Sequence, residues 1–377
     1  MLKLLKRFFN KKNKIIYIIN SLELGGAENI LFNIVNMSNK KDIVIISLTS
    51  KGFYGSALIK KGYKVYELKM KKDFLFLFNF TKLIALLINQ NPKIVHTWMY
   101  HSNLIGGIAA KLLGINEIYW SIHHDFEYAN IIKFLEMKLL SFLSYFIPKK
   151  IIYCSTSSQF NHNLNGYKED ISCIIKNGIS VSKFQSDKKL REIIRRQLKI
   201  NQNCLLLGNV SRYHPIKDHD TLLKALLYLK KLKVNFKCIL IGNGLTNTNI
   251  DLIKKITRFK LKKEIILFGK SDKVHILFNA FDLNILSSKS ESSHLTLIES
   301  MACGIPCLST KVGDALDIIG DTGWIVDTEN PKAMADCIHK ISNKKYLLKR
   351  KSLKAVNRVK KYYTLEKMYS NYQRLYN

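Results

Sequence analysis

The sequence predicts an α/β protein made of two doubly wound parallel sheets. Short apolar runs of strand length recur in both halves of the chain, and segments of helical periodicity separate them. Glycine turns follow some of these runs, as at Gly25-Gly26 and Gly242-Asn243-Gly244. A length of 377 residues suits two domains of ordinary size. Because successive βα units place their strands in parallel, each half is predicted to form one sheet.

The first half opens with an apolar run typical of a strand buried on both faces, and the βα rhythm continues from there. Its predicted strands are residues 14–20, 42–48, 64–68, 94–98, 117–122, 150–154 and 171–179. Helices are expected at 27–36, 54–61 and 130–146, with another capped by Ser102 or Asn103.

The second half repeats the pattern after a boundary expected between residues 180 and 186. Its predicted strands are residues 204–210, 236–241, 265–268, 283–286, 307–309 and 324–326. Helices are expected at 188–200, 221–233, 248–259, 272–280, 294–303, 331–340 and 346–376. We therefore divide the chain into domains 1–183 and 184–360, with a terminal helix, 361–377, that crosses back to the first domain.

Composition limits the classes of partner and compartment. The net charge of +33 favours polyanions or an anionic membrane surface, although a bias toward Lys codons explains part of it. The lysines are dispersed and no nucleic-acid motif appears, so nucleic acid is not an expected partner. The seven cysteines lack metal-like spacing, which indicates a reducing cytoplasm and no bound metal. No run reaches 18 uncharged apolar residues, so no spanning helix is expected.

Two stretches suit a membrane surface rather than a span. Residues 1–14 alternate Leu and Phe with Lys and Arg, and residues 69–80 set three lysines against four phenylalanines. The alternatives are a frayed terminus for the first stretch and the start of a core helix for the second. The sequence therefore favours a cytoplasmic protein attached peripherally to the inner face of the cell membrane.

The stretch from residue 282 to 313 carries two carboxylates, Glu291 and Glu299, with seven residues between them. Glu291 lies in the loop before a helix and Glu299 inside that helix, so both can face the crevice beyond the strand. The free N–H groups at Ser293, His294, Leu295 and Thr296 suit a diphosphate. Each carboxylate would accept hydrogen bonds from sugar hydroxyls. The alternative is that both are ordinary exposed residues.

Cations and histidines stand at other strand ends. Arg212 and Lys217 follow the strand at 204–210 and can clamp a pyrophosphate. Gly25 and Gly26 let the backbone approach a ligand closely. His123 and His124 end the strand at 117–122, where an imidazole can orient a substrate or relay a proton. These patterns leave open which of the two histidines faces the site.

The ordered set GGAE, HHD, NG, R-x4-K, G-x-G and E-x7-E resembles the retaining glycosyltransferases of family four over nearly the whole chain. The chain departs from that pattern at Ser211, Ser292 and His294. The resemblance implies the GT-B fold, in which two Rossmann-like doubly wound domains face across a cleft. It also implies a transferase of EC class 2.4 that moves a hexosyl or N-acetylhexosaminyl group.

The roles implied by this resemblance fall on the residues already named. The donor, a nucleotide sugar, would be held by Arg212 and Lys217 at its diphosphate, by Glu299 at its ribose and by Glu291 at its sugar. Gly25, Gly26 and the N–H groups of His294, Leu295 and Thr296 would complete the donor site. His123 or His124 would act with Glu291 near the reacting carbon, without a metal or cofactor.

The expected acceptor is a lipid-linked or surface polysaccharide, as in lipopolysaccharide, O-antigen or capsule. Two alternatives share the fold and the donor: a GT-B epimerase, which needs no acceptor, and a module that binds nucleotide sugars without turnover.

Overall fold

The computed structural model describes residues 12–70, 75–123, 131–291 and 294–376. The chain divides into two compact units. The first comprises Met1–Asn177 and Leu365–Asn377, and the second comprises Gly178–Thr364. The sequence had placed the corresponding changes of domain after residues 183 and 360.

In the first unit the described residues form seven strands, which pair in parallel throughout. They are β1 (Lys12–Ile19), β2 (Ile43–Ser47), β3 (Lys64–Glu67), β4 (Pro92–Trp98), β5 (Glu117–Ile122), β6 (Lys150–Tyr153) and β7 (Ser172–Ile174). Their order across the sheet is β3-β2-β1-β4-β5-β6-β7. Every residue of β2 is buried, because helices cover both faces of a doubly wound sheet. The predicted strand 171–179 is much shorter than expected.

The helices of this unit mostly follow the predicted pattern. They are α1 (Gly26–Met37), α2 (Gly52–Lys60), α3 (Phe76–Gln90), α4 (Tyr100–Leu112), α5 (Ile131–Leu143), α6 (Thr156–Leu164) and α15 (Leu365–Tyr376). The predicted cap of α4 at Ser102 or Asn103 was wrong. This helix begins at Tyr100 after Met99, whose φ is 76°, and the Asn103 amide instead lies 2.6 Å from Thr97 Oγ1.

Helix α6 was not predicted, because its polar sequence resembles a loop. Its start is fixed by the Ser155 hydroxyl, which accepts a hydrogen bond from the Ser158 N–H at 3.1 Å. A serine in this position satisfies one of the N–H groups left open in the first helical turn.

Outside residues 292 and 293, the second unit contains six parallel strands: β8 (Leu205–Val210), β9 (Phe236–Ile241), β10 (Ile265–Gly269), β11 (Leu283–Leu286), β12 (Cys307–Thr310) and β13 (Trp324–Val326). Its helices are α7 (Lys188–Gln197), α8 (His219–Lys231), α9 (Ile250–Arg258), α10 (Val274–Phe278), α11 (Leu295–Ala302), α12 (Ala315–Ile319), α13 (Pro331–Asn343) and α14 (Tyr346–Tyr362). Two buried apolar clusters form its core; they include residues of β8, β9, β11 and β12, and partly buried residues of β10 and β13 pack against them.

The single helix predicted over 346–376 is instead two helices, α14 and α15. Between them Tyr363 and Thr364 are buried and pair with the chain as it enters the second unit. The Ile179 N–H donates to the Tyr363 carbonyl at 2.9 Å, and Ile179 forms a bridge with Thr364. A buried segment that pairs as a strand cannot also continue a helix.

The strand orders locate the ligand crevices. The second sheet runs β10-β9-β8-β11-β12-β13, so the direction of winding reverses between β8 and β11. In the first sheet the reversal lies between β1 and β4. Open α/β sheets bind ligands beyond the carboxyl ends of the strands at such a reversal. Across the described parts of the chain, no helix combines the length and apolar character needed to cross a bilayer.

Candidate functional site

The loops that leave β8 and β11 meet at the reversal of the second sheet. The Ser287 hydroxyl donates to the Lys217 carbonyl at 2.9 Å, and the Lys289 N–H donates to the Ile216 carbonyl at 2.8 Å. These bonds tie the loop carrying the R-x4-K pair to the loop carrying Glu291. Two motifs 74 residues apart in the chain therefore share one site.

The centre of this site is an ion pair. Lys217 Nζ lies 2.5 Å from Glu291 Oε1, and the two side chains are only 17% and 10% exposed. The Ser288 hydroxyl donates to the same carboxylate oxygen at 2.8 Å. Removing one partner of a pair this enclosed leaves the other charge without compensation. Each charge therefore holds the other in place.

Gly313, just beyond β12, packs directly against Glu291. Its φ is 45°, and a Cβ at this position would lie 2.1 Å from the Glu291 carbonyl oxygen and 2.9 Å from His294 Cε1. Only glycine fits both the left-handed backbone and the missing space. The sequence analysis assigned Gly313 no role, although a glycine in the loop that follows a strand can indicate a close backbone approach.

His294 precedes the first turn of α11 and is 2% exposed. Burial lowers its pKa, while the nearby Glu291 and Asp314 carboxylates and the Val312 backbone act in the opposite direction. Within the described residues neither ring nitrogen makes a hydrogen bond of regular geometry. Burial therefore favours the neutral form of the imidazole, which packing mainly holds in place.

The start of α11 also presents backbone donors. The N–H groups of Leu295 and Thr296 lie in its first turn, where N–H groups have no acceptor within the helix, and that of His294 directly precedes them. Ser293, which was expected to contribute a fourth donor, lies outside the described residues. This terminus and the Lys217 ammonium give the site positive potential.

Glu299 lies elsewhere on α11 and is partly exposed. Its surroundings desolvate the carboxylate and raise its pKa to about 8, and the Lys183 ammonium offsets this only in part. In the described ranges no hydrogen bond or ion pair reaches this carboxylate. The charge that acts on it is that of Lys183 rather than Lys217, so Glu299 is a desolvated acceptor apart from the Lys217–Glu291 pair.

Arg212 is exposed, and its guanidinium makes no hydrogen bond or ion pair with other described residues. Its backbone is well fixed, however. A Cβ on Gly242, whose φ is 150°, would lie 1.9 Å from the Ser211 carbonyl oxygen, and the Tyr213 N–H donates to Asn243 at 2.7 Å. The G-x-G turn thus supports the loop that carries Arg212.

His219 was not singled out from the sequence, yet it supports the same loop. Its Nε2 lies 3.1 Å from the Ser211 hydroxyl, and burial lowers its pKa to about 4. Asp218, with φ of 48°, caps α8 by accepting the Thr221 N–H at 3.1 Å. The run D-H-D-T at residues 218–221 was the available sequence signal, because an aspartate before a helix is typical of an N-cap and places His219 at the start of α8.

Gly25 caps the N-terminus of α1 and Gly26 is its first residue, after β1 and at the reversal of the first sheet. A Cβ on Gly25 would lie 2.1 Å from the Glu28 carboxylate, and burial raises the pKa of Glu28. Glu28 therefore folds back over the turn that Gly25 leaves open. A glycine at position 25 permits this close approach, because any larger side chain would collide with the Glu28 carboxylate.

His123 directly follows β5 in the first unit and is buried. Its ring stacks on Trp98, with centroids 4.5 Å apart and an interplanar angle of 11°. Trp98 ends β4, so the stack stands at the carboxyl edge of the sheet. His124 lies outside the described residues, and the choice between the two histidines stays open.

A second buried histidine, His96, was missed because it lies inside an apolar strand. Its Nδ1 contacts the Tyr376 hydroxyl at 2.5 Å, and its Nε2 contacts the Ser121 hydroxyl at 2.8 Å. Burial lowers the pKa of His96 well below its ordinary value. Both nitrogens are occupied, so His96 fastens α15 to the sheet. Among the described residues, no three His, Cys, Asp or Glu side chains gather as metal ligands.

Comparison with known proteins agrees with this architecture. Residues 24–183 match the family described as Glycosyltransferase Family 4, and residues 190–361 match Glycosyl transferases group 1. The Staphylococcus aureus capsular polysaccharide biosynthesis glycosyltransferase CapM is 24% identical, covering 98% of this chain and 91% of its own. An Escherichia coli UDP-Gal:α-D-GlcNAc-diphosphoundecaprenol α-1,3-galactosyltransferase is 21% identical, covering 70% of each chain.

Among solved structures, HepE from Anabaena in complex with UDP superposes with a TM-score of 0.87 at 18% identity, covering 96% of this chain and 98% of its own. The predicted α/β class is confirmed, and the fold is that of GT-B glycosyltransferases. The chain belongs to glycosyltransferase family four, the glycosyl transferases group 1, and is related to enzymes of surface-polysaccharide biosynthesis.

Proposed function

We propose that this glycosyltransferase transfers a sugar from a nucleotide-sugar donor to a lipid-linked or surface-polysaccharide acceptor with retention of anomeric configuration. The observation that carries the proposal is the Lys217–Glu291 pair beside the start of α11, at the reversal of the second sheet. Cations and free N–H groups at such a crevice suit a diphosphate. The UDP bound to HepE and the UDP-sugar named for the E. coli relative support the same donor class.

Each residue has a distinct task in this proposal. Lys217 and Arg212 bind the diphosphate, together with the N–H groups of His294, Leu295 and Thr296. As the sugar departs, negative charge grows on the phosphate, and these preorganised groups stabilise it. Glu291 accepts hydroxyl groups of the transferred sugar. Its existing bonds to Lys217 and Ser288 fix it in place before the donor arrives.

Glu299 is assigned to the ribose. A partly desolvated carboxylate with no donor among the described residues is under-satisfied, and two adjacent ribose hydroxyls supply what it lacks. Such hydrogen bonds favour the ionised form of the carboxylate. Donor binding is therefore expected to lower the pKa of Glu299.

The acceptor is assigned to the first unit, with His123 or His124 near the reacting carbon. We propose that the acceptor hydroxyl attacks the same face that the diphosphate leaves, with that phosphate receiving its proton. No protein nucleophile is required. We also propose that positive charge from Arg212 and Lys217 replaces a metal ion at the diphosphate, and that Gly25 and Gly26 give the donor room.

The names of two relatives and the net charge of the chain support a lipid-linked or surface-polysaccharide acceptor. CapM is named for capsular polysaccharide, and the E. coli relative acts on a diphosphoundecaprenol-linked sugar. A net charge of +33 suits an anionic membrane surface. We therefore propose peripheral attachment at the cytoplasmic face of the membrane. The basic N-terminal segment, residues 1–11, and residues 71–74 of the Lys/Phe stretch lie outside the described residues.

The decisive experiment is a panel of nucleotide sugars screened by thermal stabilisation of the purified protein with EDTA present. The donor that stabilises is then incubated with polyprenyl-diphosphate-linked acceptors, and the product linkage is determined by NMR. The proposal expects one donor class to stabilise, an acceptor-dependent product and an unchanged anomeric configuration. An isomerised donor formed without acceptor would identify an epimerase, and binding without turnover a non-catalytic module.

A further inference from the structure

We propose that helix α5 of the first unit presents a surface that inserts into the interface of an anionic lipid bilayer. The inference rests on the proposed function for its biological context, but its physical basis is independent of the donor site. We call this surface the α5 face. It consists of exposed apolar side chains along one side of the helix and just after it: Ile131, Ile132, Leu135, Leu139, Phe142, Tyr145 and Phe146.

The α5 face is unusual in its exposure. Its members are between 46% and 69% exposed, whereas Met137 and Leu140 on the other side of the helix are fully buried in the core. A helix of a water-soluble protein normally presents a polar side to solvent. Here both sides are apolar. Contiguous exposed apolar surface of this kind marks a binding surface.

Charge decides between possible occupants. Residues 131–150 include four lysines and one acid, Glu136. Glu136 is turned away from solvent, with 18% exposure, and lies 3.5 Å from His101 Nε2. Lys138 lies beside the apolar side chains, with Nζ 5.7 Å from the Phe134 ring. Apolar residues flanked by lysines match a bilayer whose head groups are anionic.

A second copy of this chain fits the charge poorly, because it would bring another net charge of +33. A similar set of exposed residues occurs on α3. Helix α4 contacts both α3 and α5. At the start of α3, Leu77 is 70% and Phe78 57% exposed, and Lys82 Nζ lies 4.3 Å from the Phe78 ring. The same pairing of aromatic and lysine recurs, as expected for a surface that meets head groups.

Tryptophan fluorescence gives a direct test. Phe142→Trp keeps the face apolar, and the matched control Leu353→Trp places the probe at a 68% exposed position of α14 in the second unit. Each variant is mixed with vesicles of phosphatidylglycerol and phosphatidylcholine, with and without brominated acyl chains. After subtraction of the parent signal, Phe142→Trp should shift to the blue and be quenched by bromolipid. Equal quenching at both positions, or none at position 142, overturns the proposal.

A second pair of variants tests the consequence for binding. Leu135→Asp with Phe142→Asp should lower the vesicle-bound fraction at least tenfold at low salt, while Ile250→Asp, at a 70% exposed position of α9, should not. Stabilisation by the nucleotide sugar should be the same in all three proteins. That readout separates the two proposals: lost vesicle binding with intact donor binding concerns the α5 face alone.

Other occupants would give different results. If a second copy covers the α5 face, the double variant will turn a dimer into a monomer in sedimentation without changing vesicle binding. If the face holds the acyl chain of the acceptor, the protein will bind a polyprenyl acceptor in detergent but not vesicles without it. Either result overturns the proposal of a bilayer surface.

Discussion

The ammonium of Lys217 and the carboxylate of Glu291 lie 2.5 Å apart, although 73 residues separate them in the chain. The pair forms where the β8 and β11 loops meet at the reversal of the second sheet. Parallel strands bring their carboxyl ends to one edge, so residues from different βα units can meet there. This contact converts two separate motifs into one charged site.

Lys217→Ala should weaken donor binding at least tenfold, a loss of about 1.4 kcal/mol. It removes a phosphate ligand and leaves Glu291 enclosed without its counter-charge. Calorimetric titration with the donor measures the effect, and Lys224→Ala, an exposed lysine of α8, is the matched control. Adding Glu291→Gln to Lys217→Ala should restore thermal stability but not donor affinity. Full affinity in Lys217→Ala would place the diphosphate elsewhere.

Gly313→Ala should lower both stability and transfer. The new Cβ would collide with the Glu291 carbonyl and strain a left-handed backbone. Gly62→Ala is a matched control, because Gly62 has φ of 85° but no heavy atom within 4 Å of the added Cβ. The control should lose about 1–2 kcal/mol of stability from backbone strain alone and keep full activity. Equal loss of activity in both variants would show that Gly313 does not position Glu291.

The pH dependence of stability should reveal Glu299. Its pKa is about 8 in the folded chain, against an ordinary value of 4.5. Between these values the unfolded chain has released its proton and the folded chain still holds it, so the free energy of unfolding falls as pH rises. Glu299→Gln lacks this proton. Its stability relative to the parent should therefore rise between pH 4.5 and 8 and then level off.

The size of this change is at least about 1.4 kcal/mol, the value of a one-unit pKa shift. Urea unfolding at pH 5, 6.5, 8 and 9 measures it. Glu192→Gln, at an exposed site on α7, is the control for the change from carboxyl to amide. A difference between Glu299→Gln and the parent that stays constant from pH 5 to 9 would mean that the Glu299 carboxylate is already ionised at pH 5.

His123→Ala or His124→Ala should lower kcat about a hundredfold, because the sugar loses the side chain that orients it at the reacting carbon, and should leave donor affinity unchanged. His101→Ala is the control, since its side chain is 49% exposed in the same unit. The variant that loses kcat identifies the histidine beside the sugar. If both retain the parental rate, neither acts in the reaction.

Tyr376→Phe should destabilise the protein by about 1–3 kcal/mol, because it leaves buried His96 Nδ1 without its partner. The hydroxyl also contacts Tyr17 at 3.2 Å. Tyr346→Phe, at a 63% exposed position, should change stability by less than about 0.5 kcal/mol. Thermal unfolding compares the two. Equal melting temperatures would show that α15 is held by packing alone.

Strand positions were the most predictable property of this chain. The thirteen strands seen in the described part of the chain all occur where apolar runs predicted them, although the seventh is shorter than expected. Parallel strands buried on both faces must be continuously apolar, so their signal needs no tertiary information. Helix α6 was missed because its polar sequence resembles a loop, even though its serine cap is local. The break at Tyr363 and Thr364 was missed because the bridge to Ile179 is a tertiary contact.

The sequence by itself determined the fold class, the family and which charged residues follow which strands, because periodicity and motif spacing are local along the chain. Only the tertiary structure decided which of them touch. It joined Lys217 to Glu291 and packed Gly313 against the Glu291 backbone. It also placed Glu299 under the charge of Lys183 and bonded His96 to Tyr376. Contact and desolvation depend on strand order and loop path, which bring together residues that are distant in the chain.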